Sequence, residues 1–61
     1  MRSYTVSGEE SLAEIAKREL GHESYWLRLY AWNAAAVPKN IASKDRVAAG
    51  VVLMLPNTPF A

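Results

Sequence analysis

The sequence predicts an α+β fold in which two terminal strands flank two helices. Residues 3–6 alternate small polar and large apolar side chains, and residues 51–55 form a β-rich run closed by Pro56. Two stretches between them carry apolar residues at helical spacing. This order allows a two-stranded antiparallel sheet with both helices on one face. We expect one domain over residues 1–61, with a core in 4–56 and a short tail in 57–61.

The first strand is predicted to end in a turn at Ser7-Gly8, and the first helix to begin at a capping box. The pattern Ser11-x-x-Glu14 satisfies two backbone amides that a helix start leaves unpaired. Gly21 is expected to end the helix, because glycine readily adopts the left-handed conformation common at helix C-termini. Between these limits the apolar residues recur at i, i+3, i+4 and i+8 and form one stripe: Leu12, Ile15, Ala16 and Leu20.

The second helix is predicted to begin at Ser24 and to be apolar on nearly every side. Leu27 and Ala31 cover one side, and Arg28 is the only charged residue between positions 25 and 36. Such a helix indicates burial beyond what one small domain offers. The face at i, i+3, i+4 and i+7, expected to pack inward, is Trp26, Leu29, Tyr30 and Asn33. The stripe expected to face outward is Tyr25, Arg28 and Trp32.

The second strand adds to the apolar surface. Its unbroken apolar run suits a strand buried on both faces, so we expect Val51 and Met54 to contact a partner. Phe60 in the tail is a further candidate contact, although a frayed chain end is the alternative. Arginine, methionine and aromatic residues are enriched in protein interfaces. The competing interpretation is that Trp32 and Tyr25 fold back onto the core and Met54 is a single exposed residue.

Composition and charge argue against several classes of function. The 61 residues include no Cys, which removes disulfides and thiolate zinc sites, and the net charge of +1 is too small to attract nucleic acid. No segment is long and apolar enough to anchor in a membrane, and no export signal is present at the N-terminus. We therefore expect synthesis in the cytoplasm and neither nucleic-acid nor membrane partners.

No arrangement of residues indicates catalysis, a metal site or a cofactor. His22 is the only histidine and follows Gly21, where a loop or capping role is expected. Glu9 and Glu10 are sequence neighbours in a turn, whereas glycosidases place two carboxylates across a sugar. The glycines have no nucleotide-loop spacing. We interpret the chain as non-enzymatic, with no catalytic residue, no metal ligand and no cofactor.

Several motifs together resemble the LysM family. They are the strand and turn at residues 4–8, the helix start at Ser11 to Ala16, Trp26 with Leu29 and Asn33 in the second helix, and the ending Gly50-x-x-Leu53-x-Leu55-Pro56. The likeness covers about residues 4–56. It implies a strand-helix-helix-strand fold, binding to N-acetylglucosamine polymers such as peptidoglycan or chitin, and use as a building block in phage tails and contractile injection machines.

The resemblance also implies where a glycan would bind. LysM modules hold the sugar in a shallow groove between the turn after the first strand and the loop after the second helix. In this chain the corresponding residues are Glu9, Glu10, Ser11 and Leu12 on one side, and Pro38, Lys39, Asn40 and Ile41 on the other. The first loop departs from the family, because Glu9 stands where glycine is usual and Gly8 precedes it. Alternatively, both loops serve only as well-capped turns.

Two functions follow from these observations. The first is a non-enzymatic adaptor or clamp that contacts other protein subunits, most simply in a phage-tail or injection-machine baseplate, which places the protein in a virion or injection particle. The second is a peptidoglycan- or chitin-binding module, which places it at a bacterial cell wall if the domain belongs to a longer secreted protein. The apolar outer faces and the absent export signal favour the adaptor.

Overall fold

The computed structural model describes residues 2–56 and confirms the α+β arrangement. Strands β1 and β2 pair antiparallel, with Arg2 opposite Leu55 and Thr5 opposite Val52. The predicted contact at Phe60 lies outside the described residues. The elements in chain order are β1 (Arg2–Thr5), α1 (Leu12–Leu20), a short 3-10 turn (Glu23–Tyr25), α2 (Trp26–Trp32) and β2 (Val52–Leu55).

Both strands differ slightly from their predicted limits. β1 begins and ends one residue earlier than predicted, and β2 begins at Val52 rather than at Val51. The reason is a turn that closes the sheet at this end: Val6 N donates to Val51 O at 2.8 Å, and Gly50 N donates to Val6 O at 2.8 Å. Val6 and Val51 therefore belong to this closing turn and not to the regular strand pair.

Helix α1 forms as the sequence predicts. Ser11 Oγ accepts from Glu14 N at 3.2 Å, and Glu14 Oε1 accepts from Ser11 N at 3.0 Å, which completes the capping box. The helix ends at Gly21, whose φ of +95° is left-handed. Its predicted apolar stripe is buried in the core: Leu12, Ile15, Ala16 and Leu20.

The start of the second helix corrects the predicted cap. Ser24 is not the N-cap; instead, its backbone N–H donates to Nδ1 of His22 at 3.0 Å, so His22 caps a 3-10 turn that precedes α2. An imidazole nitrogen can accept this bond as a serine hydroxyl would, but histidine is not among the residues preferred at helix N-caps. The inward face of α2 is as predicted: Leu29 and Asn33 are buried, and Trp26 and Tyr30 are partly buried against the core.

The long segment between α2 and β2 is tied to the rest of the domain. Ala13 N donates to Ser43 O, and Val47 N donates to Glu10 O, both at 2.9 Å. Side chains from this segment also complete the apolar core, which small domains need because they bury a limited share of their surface. The core consists of Val6, Leu12, Ile15, Ala16, Leu20, Leu29, Val37, Ile41, Val47, Leu53 and Leu55.

Asn33 joins the end of α2 to the middle of β2. Its Oδ1 accepts from Met54 N at 2.7 Å, and its Nδ2 donates to Met54 O at 3.1 Å. The same Nδ2 also donates to Leu29 O at 2.9 Å. Asn33 is only 5% exposed, and these three bonds satisfy both of its amide hydrogens and its side-chain oxygen within the fold.

Candidate functional site

The residues predicted to hold a glycan are divided between the core and the surface. Leu12 is fully buried and Ile41 is 9% exposed, and both belong to the apolar core. Ser11 is 3% exposed, and its hydroxyl accepts the capping bond of α1. The side chains of Leu12 and Ile41 therefore face the interior, where they cannot form an apolar wall for a sugar without opening the core.

The second loop meets the first turn at a different point from the one predicted. Pro38, Lys39 and Asn40 are exposed, and Asn40 has a left-handed φ of +63°. Instead, Val47 N donates to Glu10 O in the β1–α1 turn, and Ser43 O accepts from Ala13 N in the first turn of α1. The loop residues bonded beside the turn are thus within 43–47, whereas the resemblance to LysM modules implied 38–41.

Glu10 belongs to a cluster of charged and phenolic groups that the sequence did not reveal. Tyr4 donates its hydroxyl hydrogen to Glu10, and Arg18 Nη1 lies 2.6 Å from Glu10 Oε1. Arg18 also contacts Glu19 at 3.0 Å and Tyr4 OH at 2.5 Å, and Arg2 pairs with Glu19. We call these five residues the Arg18 network. No sequence spacing identifies it, because β1, the turn and α1 bring it together.

The electrostatics of this network keep its carboxylates ionised. The hydrogen bond from Tyr4 and the contact with Arg18 lower the pKa of Glu10, and Arg2 and Arg18 lower that of Glu19. Burial and the bond to Glu10 raise the pKa of Tyr4. A carboxyl group acting as a general acid near neutral pH needs the opposite shift. We therefore interpret the network as a set of structural contacts that hold β1 against α1.

Glu9, next to this network, is highly exposed. Its Oε2 lies 2.8 Å from Arg46 Nη1, with the two side chains 82% and 67% exposed. Such a surface pair contributes little to stability because water and salt screen it. Glu9 is therefore accessible to a ligand, in contrast to Ser11 and Leu12.

An open cleft of about 320 Å³ lies beside the first turns of α1. It includes Ser11 from the predicted glycan residues, together with residues from α1, the 3-10 turn and the loop before β2. The remaining lining residues were not predicted: Ala13, Glu14, Lys17, Glu23 and Lys44. Charged side chains of both signs surround a small apolar floor at Ala13.

The second candidate region comprises the exposed apolar side chains on the outer faces of α2 and β2. Four large apolar side chains remain exposed there: Leu27 (59%), Trp32 (38%), Val52 (50%) and Met54 (41%). Leu27 and Trp32 are five positions apart and so lie about 140° apart around the helix, on its two outer flanks. With Arg28 between these flanks, we call Leu27, Arg28, Trp32, Val52 and Met54 the α2–β2 surface.

The structure modifies three predictions about this surface. Tyr25 is partly buried against the core, with the guanidinium of Arg28 lying 5.5 Å from its ring centroid. Val51 also packs against the core, whereas Val52, which was not predicted, is exposed. Burial of β2 on both faces was expected only with a partner, and in the single chain β2 alternates between exposed and buried residues, with Met54 exposed. Val51 lies in the turn before β2, whereas Val52 is two positions from Met54 and so shares its outward face.

The described part of the chain offers neither a membrane span nor a metal-binding cluster. Between residues 2 and 56, none of the helices has the length and apolarity needed to cross a bilayer. Within the same range, no group of three or more His, Cys, Asp or Glu side chains is placed to hold a metal ion.

Comparison with family models, curated proteins and solved structures gives no match to this chain.

Proposed function

We propose that this protein is a non-enzymatic adaptor domain that docks onto another protein through the α2–β2 surface. The observation that carries the proposal is the exposure of four large apolar residues on two elements whose opposite faces already fill the core. Apolar area removed from water on docking is worth about 25 cal/mol per Å², so such side chains favour a partner.

The rigidity of this surface supports the same function. Asn33 bonds both main-chain groups of Met54, which holds β2 against the end of α2. The two elements therefore present their outer residues in a fixed arrangement, and less conformational freedom is lost on docking. By the resemblance to LysM-like building blocks, the assembly is proposed to be a phage-tail or contractile-injection baseplate.

The adaptor proposal is tested by following a tagged chain in the organism that encodes it. We expect the wild-type chain to sediment with a high-mass particle, and the variant Trp32→Ala/Met54→Thr to remain in the low-mass fraction. Both side chains are exposed, so the variant should melt within a few degrees of the wild type. The matched control is Lys17→Ser on α1, which should still enter the particle. Normal incorporation of the double variant would contradict the proposal.

A second candidate function is glycan binding in the cleft beside α1. The observation favouring it is an open volume of about 320 Å³ that includes Ser11 and the first turns of α1. Clefts of this size accommodate small ligands, and hydroxyl, ammonium and carboxylate groups can bond a neutral sugar. The burial of Leu12 and Ile41 in the core weighs against it, because the predicted apolar wall is missing.

Titration of labelled protein with N-acetylglucosamine oligomers tests the second candidate. If the cleft binds sugar, saturable amide shifts should appear at Ser11, Ala13 and Lys44 and should weaken in Lys44→Ala. The control is Lys39→Ala, an exposed lysine that does not line the cleft. A well-folded sample without saturable shifts would contradict glycan binding in the cleft.

A further inference from the structure

The main chain of β1 has an open outer edge. Antiparallel strands alternate pairs that exchange main-chain hydrogen bonds with pairs that do not. Val6 N donates to Val51 O at 2.8 Å, so these two residues form a bonded pair, and by alternation Tyr4 is a bonded position too. The N–H and C=O groups of Ser3 and Thr5 therefore point away from β2. Within the part of the chain that the structure describes, these groups have no hydrogen-bond partner.

The bonds of Asn33 confirm this alternation on the other strand. Met54 lies opposite Ser3, so its main-chain groups should point away from β1. Asn33 Oδ1 accepts from Met54 N at 2.7 Å, and Asn33 Nδ2 donates to Met54 O at 3.1 Å. At this level of the sheet the main-chain groups of Met54 are occupied, whereas those of Ser3 are open.

The outer face of the sheet carries short side chains on β1 and large apolar side chains on β2. Residues directly opposite each other share a face, so Ser3 lies beside Met54, and Thr5 lies beside Val52. All four are exposed. Neighbouring strands are about 4.8 Å apart, so a strand added to β1 would lie about 10 Å from β2. Large side chains on that strand can pass over Ser3 and Thr5 and contact Met54 and Val52.

We propose that β1 receives an extended segment of another protein, added antiparallel to it, in which large apolar residues alternate with polar ones. The residues opposite Ser3 and Thr5 each exchange two main-chain hydrogen bonds with them, and their apolar side chains cover the exposed residues of β2. The residue between them lies beside Tyr4, whose hydroxyl belongs to the Arg18 network, so a polar side chain suits that position. This inference rests on the proposed adaptor function and specifies how the partner docks.

A second copy of this chain fits the hydrogen bonds of the open edge but not its apolar neighbours. An antiparallel β1 from another copy would place its own Thr5 opposite Ser3, and its own Ser3 opposite Thr5. The same main-chain bonds would form, but the side chains at both positions would be too short to cross β1. Met54 and Val52 would stay in contact with water, and the stabilisation from burying their apolar area would be lost. The side chains of β2 therefore favour a partner with larger residues.

Synthetic peptides in which leucine alternates with threonine test the proposal on the wild-type chain. In the proposed arrangement the leucine amides face β1 and the threonine amides face away from it. N-methylation of the leucine amides should therefore abolish binding, whereas N-methylation of the threonine amides, the matched control, should leave binding unchanged. A peptide with serine in place of each leucine imitates β1 and should bind about tenfold more weakly, because serine buries less apolar area.

Hydrogen exchange followed by NMR locates the bound peptide. In the free protein we expect the amides of Ser3 and Thr5 to exchange fast and the amide of Tyr4, which is bonded to β2, to exchange slowly. The leucine peptide should slow exchange at Ser3 and Thr5 and shift the methyl signals of Met54 and Val52.

Three results of the peptide experiment would overturn the inference. The first is the absence of binding, or binding that leaves exchange at Ser3 and Thr5 fast. The second is an equal effect of the two N-methylations, which would exclude strand addition in the proposed arrangement. The third is equal affinity of the leucine and serine peptides, which would exclude a partner chosen for its apolar side chains.

Proline variants separate this inference from the adaptor function itself. Ser3→Pro/Thr5→Pro removes the two outward N–H groups but no bond to β2, and proline is tolerated at such edge positions. We expect this variant to stay in the low-mass fraction, while the matched control Ser3→Ala/Thr5→Ala, which keeps both N–H groups, enters the particle with the wild type. If the proline variant does not fold, the N-methylated peptides decide, because they leave the protein unchanged.

The two proposals fail in different ways in this experiment. Entry of a folded proline variant, while Trp32→Ala/Met54→Thr stays out, would overturn strand addition and leave the adaptor function standing. Absence of the wild type from every high-mass particle would overturn the adaptor function and with it the inference that rests on it.

Discussion

At the scale of single residues, Gly8 determines how closely the turn after β1 approaches the turn before β2. Its φ is +95°, and a Cβ atom at this position would lie 2.9 Å from Ala49 Cβ and 3.1 Å from Ala49 N. Gly50 provides a natural comparison, because its φ is +89° but nothing lies within 4 Å of an added Cβ. The two positions share a left-handed φ that would strain an alanine, and they differ in the space available for its Cβ atom.

We therefore predict that Gly8→Ala destabilises the domain more than Gly50→Ala. Both substitutions impose a left-handed alanine at a cost of about 1–2 kcal/mol, and Gly8→Ala adds about 1–3 kcal/mol of crowding. Urea unfolding of the two variants measures the difference. Adding Ala49→Gly to Gly8→Ala should restore part of the loss, because it removes the nearest atom. Equal destabilisation by the two alanines would contradict the close approach.

Individual residues also mark the limit of prediction from sequence. The capping pair Ser11 and Glu14 was identified because its spacing is local and its chemistry is fixed. The role of Asn33 was not, since its partner Met54 is 21 positions away. Sequence periodicity gave the inward direction of Asn33 but carried no information on the strand that it would meet.

At the scale of elements, the Arg18 network connects β1, the following turn and α1. It includes Arg2 and Tyr4 from the strand, Glu10 from the turn, and Arg18 and Glu19 from the helix. Because the pKa of each carboxyl group is lowered in the folded state, the unfolded state binds more protons as the pH falls. Their stabilising contribution is therefore fully present above the ordinary carboxyl pKa of 4.5 and is lost below it.

We predict that acid weakens the domain through these two carboxylates. The free energy of unfolding should fall as the pH decreases below 4.5, the ordinary pKa of a glutamate carboxyl group. Glu10→Gln should lose about 1–3 kcal/mol at neutral pH and show a shallower decline. Tyr4→Phe removes the main cause of the shift at Glu10 and should raise its pKa, measured by NMR of the carboxyl carbon. Titration of wild-type Glu10 at its ordinary pKa would rule out this account.

Element boundaries show why the sequence-based prediction succeeded for α1 and was less accurate elsewhere. Helix α1 has local start and stop signals, at Ser11 and Gly21, and both are used. The start of the second helix depends on His22, a residue with weak capping preference, and the start of β2 depends on the turn in which Val6 bonds Val51 and Gly50. The local signals of α1 were accurate, the local cap preference of Ser24 was misleading, and features that depend on pairing across the fold required the structure.

At the scale of the whole molecule, a small core coexists with exposed apolar area. The chain has 61 residues and no Cys, so apolar packing has to provide its stability. The core uses one face of each helix and strand as well as Val37, Ile41 and Val47 from the long loop. Within residues 2–56, this arrangement leaves the residues of the α2–β2 surface exposed.

We predict weak self-association of the isolated protein at high concentration. Contacts between copies would bury Val52 and Met54, and these two side chains offer only a small apolar area, so the association should be of low affinity. Sedimentation velocity should show an average mass that rises with concentration above 6.8 kDa. Val52→Thr/Met54→Thr should remain monomeric, because threonine keeps the strand preference without the apolar area. The same rise in average mass for variant and wild type would contradict self-association through the α2–β2 surface.

The overall layout was predictable from sequence, but the details of the candidate sites were not. The order of elements follows from hydrophobic periodicity and from the glycine and proline residues that end the helices and strands. The cleft beside α1 depends on Glu23 and Lys44, which lie 21 positions apart and come together only through the folding of the long loop. Residue patterns contain little information on such distant neighbours.

The bonds of Asn33 also affect how the sheet can grow. An outer strand normally presents unpaired N–H and C=O groups to which another chain can add a strand, a common route to aggregation. On the side of β2 away from β1, the amide of Asn33 occupies both groups of Met54 and imitates the main chain of a third strand. Extension of the sheet at that position is blocked, so two copies brought together there would meet through side chains and separate again without merging their sheets.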